Sequence, residues 1–444
     1  MPVGNGFFIR NGGKGVVARQ AQSKYYFLIL LSVWLPLAAA RPAAADDGDW
    51  PQFLGPSRNG ISPATGLNVD WETRPPKTLW KVPLGKGFSS LAVVGGEVFT
   101  MANRGARDVV CCYRADSGRE KWSVDASPRY LDTQGQGPGP RATPTFDDGL
   151  LYCLLPAGDL LCLAADDGGE VWKINVFAAT GAENHEGGLY WGLSGSPLVE
   201  GDLVIVQPGG DNSNSVAAFD KRTGKLIWSA GDDLPGYGAP IAVSVAGRRQ
   251  VICLTGTGAL AVDPFRGDVL WRFPWSNSFH CNCATPIWTD KGLFVSSAYG
   301  TGSALVEIVE RKGEPAARHR WKGKQFQNQF TTSVVVDGYL YGCHGDIAAC
   351  ALRCVDLANG KQRWTEREPA KCQLLAAQGH LICLSEDGTL RLIEATPKKY
   401  LMKGESPALL APRCWTPPAL AGKRLYVRDE QDLLCLDLSG TPAD

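Results

Sequence analysis

Short runs of alternating apolar residues, each divided by a glycine turn, recur along most of the chain. The first run, VVGGEVF, is divided by Gly96, and similar runs follow at intervals of 41 to 53 residues. Their turn glycines are Gly149, Gly201, Gly247, Gly292, Gly338, Gly379 and Gly422. Alternation with a period of two, broken by a tight turn, predicts a pair of antiparallel strands. The pattern therefore predicts eight β-hairpins in series.

A third strand and a second glycine turn usually follow each hairpin, and a fourth strand carrying an aromatic residue ends the unit. The aromatic residues are Trp122, Trp172, Trp228, Trp271, Trp321 and Trp364, with Tyr400 expected to replace tryptophan in the seventh unit. Four strands in 41 to 53 residues is typical of one propeller blade. The sequence thus predicts an all-β, eight-bladed β-propeller of four-stranded antiparallel blades.

The two ends of this repeat array are complementary. The eighth unit lacks a fourth strand because the chain ends soon after LLCLDL, whereas TLWKVPL, containing Trp80, is a fourth strand with no blade before it. We therefore expect the N-terminal strand to complete the C-terminal blade and close the ring. The predicted propeller spans residues 78–444.

A four-residue pattern marks the turn between the third and fourth strands. In VAAFDKRTGKLIWS it comprises Asp220, Gly224 and Trp228, with Ala218 before them. Two further copies contain Asp263, Gly267 and Trp271, and Asp356, Gly360 and Trp364. Glycine suits a left-handed turn position, aspartate can hydrogen-bond the turn, and a flat indole can separate two twisted sheets. These residues are therefore predicted to join blades, not to contact a cofactor.

This pattern resembles the tryptophan-docking repeat of PQQ-like (quinoprotein alcohol dehydrogenase-like) propellers, a relative of the WD40 and YVTN repeats. The stretch DWPQFLGPSRNGIS, 49–62, and the last blades, from VVVDGYLYGCHGD onward, resemble exported, BamB-like members of that group. The resemblance implies that each tryptophan stacks between neighbouring blades. The chain departs from the group at one point: BamB is a lipoprotein, whereas no cysteine here precedes Cys111, so we do not expect a lipid attachment.

The first 45 residues differ from the rest of the chain. Basic residues precede the apolar stretch YYFLILLSVWLPLAAA, 25–40, and small residues follow at 43–45. This arrangement is typical of a secretory signal peptide. We expect cleavage near residue 45, a periplasmic or secreted mature protein that does not span the membrane, and an N-terminal segment at 46–77 that leads into the propeller.

Composition narrows the class of partner. Basic and acidic residues both number 45, so the net charge is zero, which argues against a nucleic-acid-binding protein.

Most of the fourteen cysteines lie in strand-like apolar runs, where they act as small buried residues. We expect few disulfides, with Cys281–Cys283 and Cys343–Cys350 as the candidates in loops.

The strand order of a propeller places the connections between blades and the second-to-third-strand loops at one end, here called the loop face. Function on a rigid scaffold usually lies in such loops. The candidate binding residues there are Arg141, His185, Trp191, Asp211, Tyr237, His280, Gln327, Asn328, Gln329, His344 and Asp346. We expect them to bind a protein or a cell-envelope component, and we expect the protein to be a monomer.

The sequence contains only weak signals of catalysis. The HCNC stretch, 280–283, with His344 offers nitrogen and sulfur ligands, but its spacing is not typical of a metal site. A PQQ enzyme would need calcium ligands and a base, and no residues here match that pattern. Cys111–Cys112 aligns with a strand position, and no CxxCH haem motif is present.

The sequence therefore favours a non-catalytic exported scaffold without a cofactor. The alternatives are a PQQ- and calcium-dependent alcohol or sugar dehydrogenase and a polysaccharide-binding protein that uses Trp191, Tyr237 and Trp275.

Overall fold

Eight blades of four antiparallel strands make up the fold, and a short N-terminal strand adds to the seventh blade in parallel. The computed structural model describes residues 48–132, 134–182, 189–346, 350–368 and 371–439. These residues also form one short α-helix, α1 (Val176–Thr180), and none of their helices is long and apolar enough to cross a membrane. The predicted eight-bladed propeller is confirmed. The predicted signal peptide, residues 1–45, lies outside the described residues.

Two short N-terminal strands precede the blades: β1 (Ile61–Ser62) and β2 (Lys77–Pro83). Blade 1 contains β3 (Ala92–Val94), β4 (Glu97–Arg104), β5 (Arg107–Arg114) and β6 (Glu120–Pro128). Blade 2 contains β7 (Thr145–Asp147), β8 (Leu150–Leu154), β9 (Asp159–Ala164) and β10 (Glu170–Asn175). Blade 3 contains β11 (Leu198–Glu200), β12 (Leu203–Val206), β13 (Val216–Asp220) and β14 (Leu226–Ala230). Blade 4 contains β15 (Ile241–Val245), β16 (Arg248–Leu254), β17 (Gly258–Val262) and β18 (Val269–Pro274).

The remaining blades follow the same order. Blade 5 contains β19 (Ile287–Thr289), β20 (Gly292–Ser297), β21 (Gly302–Arg311) and β22 (Glu314–Gly323). Blade 6 contains β23 (Val334–Val336), β24 (Tyr339–His344), β25 (Cys350–Asp356) and β26 (Gln362–Glu368). Blade 7 contains β27 (Cys372–Ala377), β28 (His380–Ser385), β29 (Leu390–Glu394) and β30 (Met402–Glu405). Blade 8 contains β31 (Ala419–Ala421), β32 (Arg424–Arg428) and β33 (Asp432–Asp437) and is completed by β2. First strands contact one another across most pairs of neighbouring blades, so these strands surround the axis.

The ring is closed between β2 and β33. Trp80 lies opposite Cys435, which confirms that the N-terminal strand completes the last blade. Arg428, fully buried on β32, ties this blade to the first one. Its guanidinium donates five hydrogen bonds of 2.9 to 3.2 Å to backbone carbonyl oxygens. One acceptor is Asp429 of its own blade. The other four lie in blade 1 and in the connection before it: Gly85, Gly87, Ser89 and Met101.

Indole groups join most neighbouring blades in one repeated geometry. Trp172 of blade 2 donates its N–H to the Lys221 carbonyl in the third-to-fourth-strand turn of blade 3 at 3.0 Å. Trp80, Trp122, Trp228, Trp321 and Trp364 make the same bond to the next blade, with distances of 2.8 to 3.1 Å. Asp220 shapes the turn by accepting from the backbone N–H groups of Arg222 and Thr223. The turn is therefore built to meet an indole from the preceding blade.

Glycine is required where the indole lies on the turn. Gly224 has φ +70°, and a Cβ there would lie 2.8 Å from the Trp172 ring. Gly118, Gly168, Gly267 and Gly360 face the tryptophans of their own preceding blades in the same way. A β-bulge at the residue immediately before the docking position occurs in all eight blades and orients the outer strand.

Trp271 departs from this geometry. Its N–H donates to Gln250 Oε1 within its own blade at 2.8 Å, because the long β21–β22 hairpin of blade 5 carries no short Asp-to-Gly turn. The sequence pattern groups Trp271 with the other docking residues, and at this position the prediction is wrong.

The seventh blade uses a tryptophan from outside the propeller, so the expected role of Tyr400 is wrong. The register places Gly404 where the other blades carry tryptophan. A Cβ on Gly404 would lie 2.5 Å from Cβ of Trp71, which is buried on this blade. Tyr400 instead packs edge-on against Trp364, with ring centroids 5.8 Å apart. The N-terminal segment therefore supplies the missing aromatic contact.

That segment also lies along the axis. Trp50 exchanges backbone hydrogen bonds with Val93 of blade 1, and β1 pairs in parallel with β27 of blade 7. Between them, Arg58 donates to the Ser196 and Pro197 carbonyls at the start of blade 3. Residues 50–62 therefore contact the inner strands on several sides of the axis.

The turn geometry predicts a graded loss of stability. Gly224→Ala and Gly247→Ala both place a side chain at positive φ, but only Gly224 faces a ring, because nothing lies within 4 Å of a Cβ at Gly247. Strain at positive φ costs about 1 kcal/mol and overpacking adds about 1–3 kcal/mol, so Gly224→Ala should lower the free energy of unfolding more. Urea denaturation checks this. Equal losses for the two variants would contradict the docking role.

The contacts of Arg428 at the ring closure predict a difference in stability between two arginine variants of β32. Arg428→Met removes a buried donor to five carbonyl oxygens and should lower the free energy of unfolding by about 3–5 kcal/mol. Arg424→Met, on the same strand, removes one bond to the Ala115 carbonyl and should cost about 1 kcal/mol. Thermal and urea unfolding of both variants provide the measurement, and similar losses would show that Arg428 is not essential to closure.

Candidate binding surface on the loop face

Residues from the loops of the loop face contact one another in a chain that runs from Tyr237, by way of Phe88 and Trp415, to Tyr299. We call this group the loop-face ring. Its members are Phe88, Arg141, Trp191, Tyr237, Tyr299, Gln329, Phe330, Lys371, Arg413 and Trp415. Aromatic rings and cations from connections far apart in sequence thus share one surface.

One half of the ring is an aromatic stack flanked by cations. Trp415 lies between Phe88 and Phe330, with centroid distances of 5.1 and 5.0 Å. The Arg413 guanidinium lies 4.7 Å from the Trp415 centroid, and the Lys371 ammonium lies 5.0 Å from that of Phe330. Such contacts stabilise a cation by about 0.5–2 kcal/mol. This half can therefore hold positive charge close to apolar surface.

Buried acids fix these cations in place. Asp132, whose side chain is fully buried, accepts from Arg141 Nη2 at 3.0 Å, and Arg141 Nη1 donates to the Trp191 carbonyl at 3.2 Å. Burial lowers the pKa of Arg141, and the adjacent Asp132 opposes that shift. Glu430 lies 3.1 Å from Arg413, whose side chain is still 35% exposed. Arg413 is therefore fixed in place while its guanidinium remains accessible to a partner.

The other half of the ring is aromatic and polar. Trp191 and Tyr237 pack edge to face at 5.3 Å, and Gln329 donates to the Tyr299 hydroxyl at 2.9 Å while accepting from Lys371. Burial raises the pKa of the Tyr299 hydroxyl to about 12. This hydroxyl therefore stays neutral and can take part in hydrogen bonds.

Two cysteines lie beside this half. The Cys281 and Cys283 sulfurs are 3.3 Å apart, and all fourteen cysteines, each among the described residues, are free thiols. The contact with Cys281, together with burial, raises the pKa of Cys283. Neither loop candidate, Cys281–Cys283 or Cys343–Cys350, is a disulfide here, so packing rather than a covalent bond holds these loops.

The predicted binding residues divide into two groups. Arg141, Trp191, Tyr237 and Gln329 belong to the loop-face ring. Outside it lie Asp211, His280, Gln327, Asn328, His344 and Asp346, while His185 lies outside the described residues. The His280 Nδ1 lies 3.3 Å from the Gly256 carbonyl oxygen, Gln327 accepts from Gly300 N–H, and burial lowers the pKa of His344 to about 4.

Three expected surface groups are buried, and one of them, Tyr237, is only 7% exposed although it belongs to the loop-face ring. The Asn328 amide donates to the Cys343 carbonyl at 3.0 Å and is 1% exposed, so it organises its own loop instead of meeting a partner. Trp275, a stacking candidate for sugars, is 3% exposed and packs on Phe273. For Asn328 the cause is that the loop backbone needs an internal hydrogen-bond partner, which its amide supplies. Trp275 is buried by packing alone, because its indole N–H has no hydrogen-bond partner among the described residues.

Four ring residues absent from the sequence prediction share one structural position. Phe88, Phe330, Lys371 and Trp415 each lie six residues before the last residue of their blade's first strand. Arg141 occupies the same position in blade 2. Counting back from the hairpins would have found them, whereas the loops themselves differ in length and composition. Half of the ring therefore occupies one repeat position of the fold, whereas Tyr299 and Arg413, also absent from the sequence prediction, lie elsewhere in their loops.

The described residues do not fit a calcium–quinone centre at the ring. Calcium requires several carboxylate and carbonyl oxygens. Asp132, Glu386 and Glu430 already accept from Arg141, Trp415 and Arg413. In the part of the chain that the structure describes, no three His, Cys, Asp or Glu side chains lie close enough to hold a metal ion.

Comparison with known proteins gives a family and a fold. Residues 71–154 and 131–366 match the family of outer membrane protein assembly factor BamB. No curated protein sequence matches the chain. Solved structures with the same fold include BamB from Moraxella catarrhalis, which is 14% identical over 83% of this chain and 99% of that chain, with a TM-score of 0.59.

Two further structures share the fold. Quinohemoprotein alcohol dehydrogenase from Comamonas testosteroni is 14% identical over 90% of this chain and 82% of that chain, with a TM-score of 0.65. The computationally designed Ika8 protein is 11% identical over 81% of this chain and 99% of that chain, with a TM-score of 0.56. At such identities the likeness concerns the fold alone.

The contacts of the loop-face ring predict that breaking two different Arg–Asp pairs lowers the free energy of unfolding by unequal amounts. Asp132→Asn places an amide N–H against the buried Arg141 guanidinium and should lower the free energy of unfolding by about 3 kcal/mol. Asp125→Asn breaks the exposed pair with Arg107 and should cost less than about 1 kcal/mol. Denaturant unfolding of both variants checks this. Comparable losses would show that Arg141 does not depend on Asp132.

Proposed function

This chain belongs to the family of outer membrane protein assembly factor BamB, and from that premise we propose that it is an exported, non-catalytic propeller that binds a protein partner. The loop-face ring is the proposed contact surface. The basic and apolar pattern of residues 1–45 supports export to the periplasm or the cell exterior. A cell-envelope component is the other class of partner that this setting allows.

The composition of the ring is the observation that carries the proposal. Tryptophan, tyrosine, phenylalanine and arginine are the residues enriched at the centres of protein interfaces. Here they are fixed before binding, since Arg141 is held by Asp132 and Trp415 donates to Glu386 at 2.6 Å. A surface that is ordered in advance loses little side-chain entropy on association. The ring therefore has the chemistry and the rigidity of a binding surface.

The charge of the ring suggests what the partner presents. Arg413 and Lys371 place cations beside aromatic rings, and each is partly exposed. Acidic side chains can pair with these cations while apolar side chains cover Trp415 and Phe330. We therefore propose a partner segment that combines acidic and apolar residues, bound by a monomeric propeller.

A PQQ-dependent dehydrogenase is the competing function. The fold is shared with a quinohemoprotein alcohol dehydrogenase, but the acids of the ring are already paired with ring cations and N–H groups. Incubation of the mature protein with PQQ and Ca²⁺, followed by quinone absorbance and dye-linked alcohol oxidation, separates the two. Stoichiometric quinone binding with turnover would overturn the non-catalytic proposal.

Charge reversal on the loop face should weaken partner binding. Lys371→Glu with Arg413→Glu replaces two ring cations by like charges facing an acidic partner and should reduce cross-linked partner at least about tenfold. Arg311→Glu with Lys312→Glu makes the same change in the exposed β21–β22 turn at the other end of the blades and should alter it less than about twofold.

The readout is quantitative cross-linking mass spectrometry on cells of the source organism that express each variant. Thermal unfolding of both double variants should show that each remains folded. Equal partner recovery from the two variants would contradict the loop-face assignment.

A further inference from the structure

A second candidate site lies on the axis, away from the loop-face ring. A cavity of about 550 Å³ separates the N-terminal segment from the inner strands of blades 3, 4 and 5. Its lining includes Arg58 from the segment and Glu200, Ala242, Ser244 and Trp288 from the strands. Glu200, Ser244 and Trp288 lie near the hairpin ends of those strands, at the opposite end from the connections between blades. The cavity volume is typical of a small-molecule site.

Arg58 gives this cavity an uncompensated positive charge. The side chain is 5% exposed, and its hydrogen bonds go to neutral acceptors: the carbonyls of Ser196 and Pro197 and the amide oxygen of Gln52, all at 2.9 Å. Its Nε has no hydrogen-bond partner. Burial of a charge without a counter-charge is costly. Consistent with that cost, burial lowers the pKa of Arg58 to about 9.

The other charged groups of the cavity neutralise each other. Arg249 donates two hydrogen bonds of 2.7 Å to the two carboxylate oxygens of Glu200. This bidentate pair contributes no net charge to the lining. The cavity therefore carries one net positive charge, at Arg58.

One wall of the cavity suits a flat apolar group. Trp288, Ile241, Ile287 and Val243 line the side formed by blades 4 and 5. An indole offers a planar face to another ring system. An aromatic or other planar ligand can therefore cover this wall while an attached anion is attracted to Arg58.

From these features we propose that the axial cavity binds a small organic anion, with a carboxylate directed towards Arg58 and a planar apolar part against Trp288. The site is independent of the loop-face ring and of any protein partner bound there. It assigns the N-terminal segment a second role, because that segment supplies the anion-binding residue as well as filling part of the axis.

The test uses a matched pair of probes on the purified mature protein. Isothermal titration calorimetry with 2-naphthoate should detect one site, and neutral 2-naphthamide should bind at least about tenfold more weakly, since a charge-assisted bond is lost. No binding of 2-naphthoate, or equal binding of the two probes, would overturn the proposal.

Variants locate the binding site. Arg58→Gln should weaken 2-naphthoate at least about tenfold and abolish the preference over the amide. Ala242→Trp should abolish binding by filling the cavity without removing Arg58, which keeps the test valid if Arg58→Gln fails to fold. Ala358→Trp, the same substitution at an exposed turn, should leave binding unchanged. Undiminished binding to Ala242→Trp would show that the probe lies elsewhere and would overturn the assignment.

Discussion

The rest of the structure depends on the hydrogen bond from an indole N–H to a turn carbonyl in the next blade. In the contact between Trp172 and blade 3, the indole also covers Gly224, so one residue satisfies a polar group and fills the interface. Because this contact recurs between blades, it sets a nearly constant spacing of the sheets around the axis. Residues at one repeat position then reach the same height on the loop face, which is why Phe88, Phe330 and Trp415 can stack although their connections differ.

The blades can be predicted from the sequence because their signals are local. Period-two alternation and turn glycines identify each hairpin, and the unpaired strand around Trp80 identifies the closure. The pairing of Trp71 with Gly404 escapes prediction, since it joins residues far apart in sequence and one partner has no side chain. Asn328 shows the converse limit: its polar side chain in a loop suggests exposure, but the backbone around it requires an internal hydrogen-bonding partner.

The candidate site is harder to predict from the sequence than the fold, because few of its residues belong to a local motif. Arg141, Trp191, Tyr237 and Gln329 can be assigned to the loop face by strand order alone. Lys371 and Trp415 become recognisable only when the blades are aligned on the ends of their first strands, because no local motif surrounds them. Arg58 lies in the N-terminal segment that the sequence shows only as leading into the propeller, and its burial depends on contacts with a blade that is distant in the chain.

The pairing of β2 with β33 also orders events in time. Almost the whole described propeller lies between Trp80 and Cys435, so this contact closes one of the longest loops in the chain. Long-range pairing slows folding because loop-closure entropy must be overcome before the contacts form. Until β33 is synthesised, β2 remains an unpaired strand and blade 1 has no neighbour on one side. The first strand of the propeller to be made is thus the last to find its place, and the nascent chain must keep that edge from aggregating during the interval.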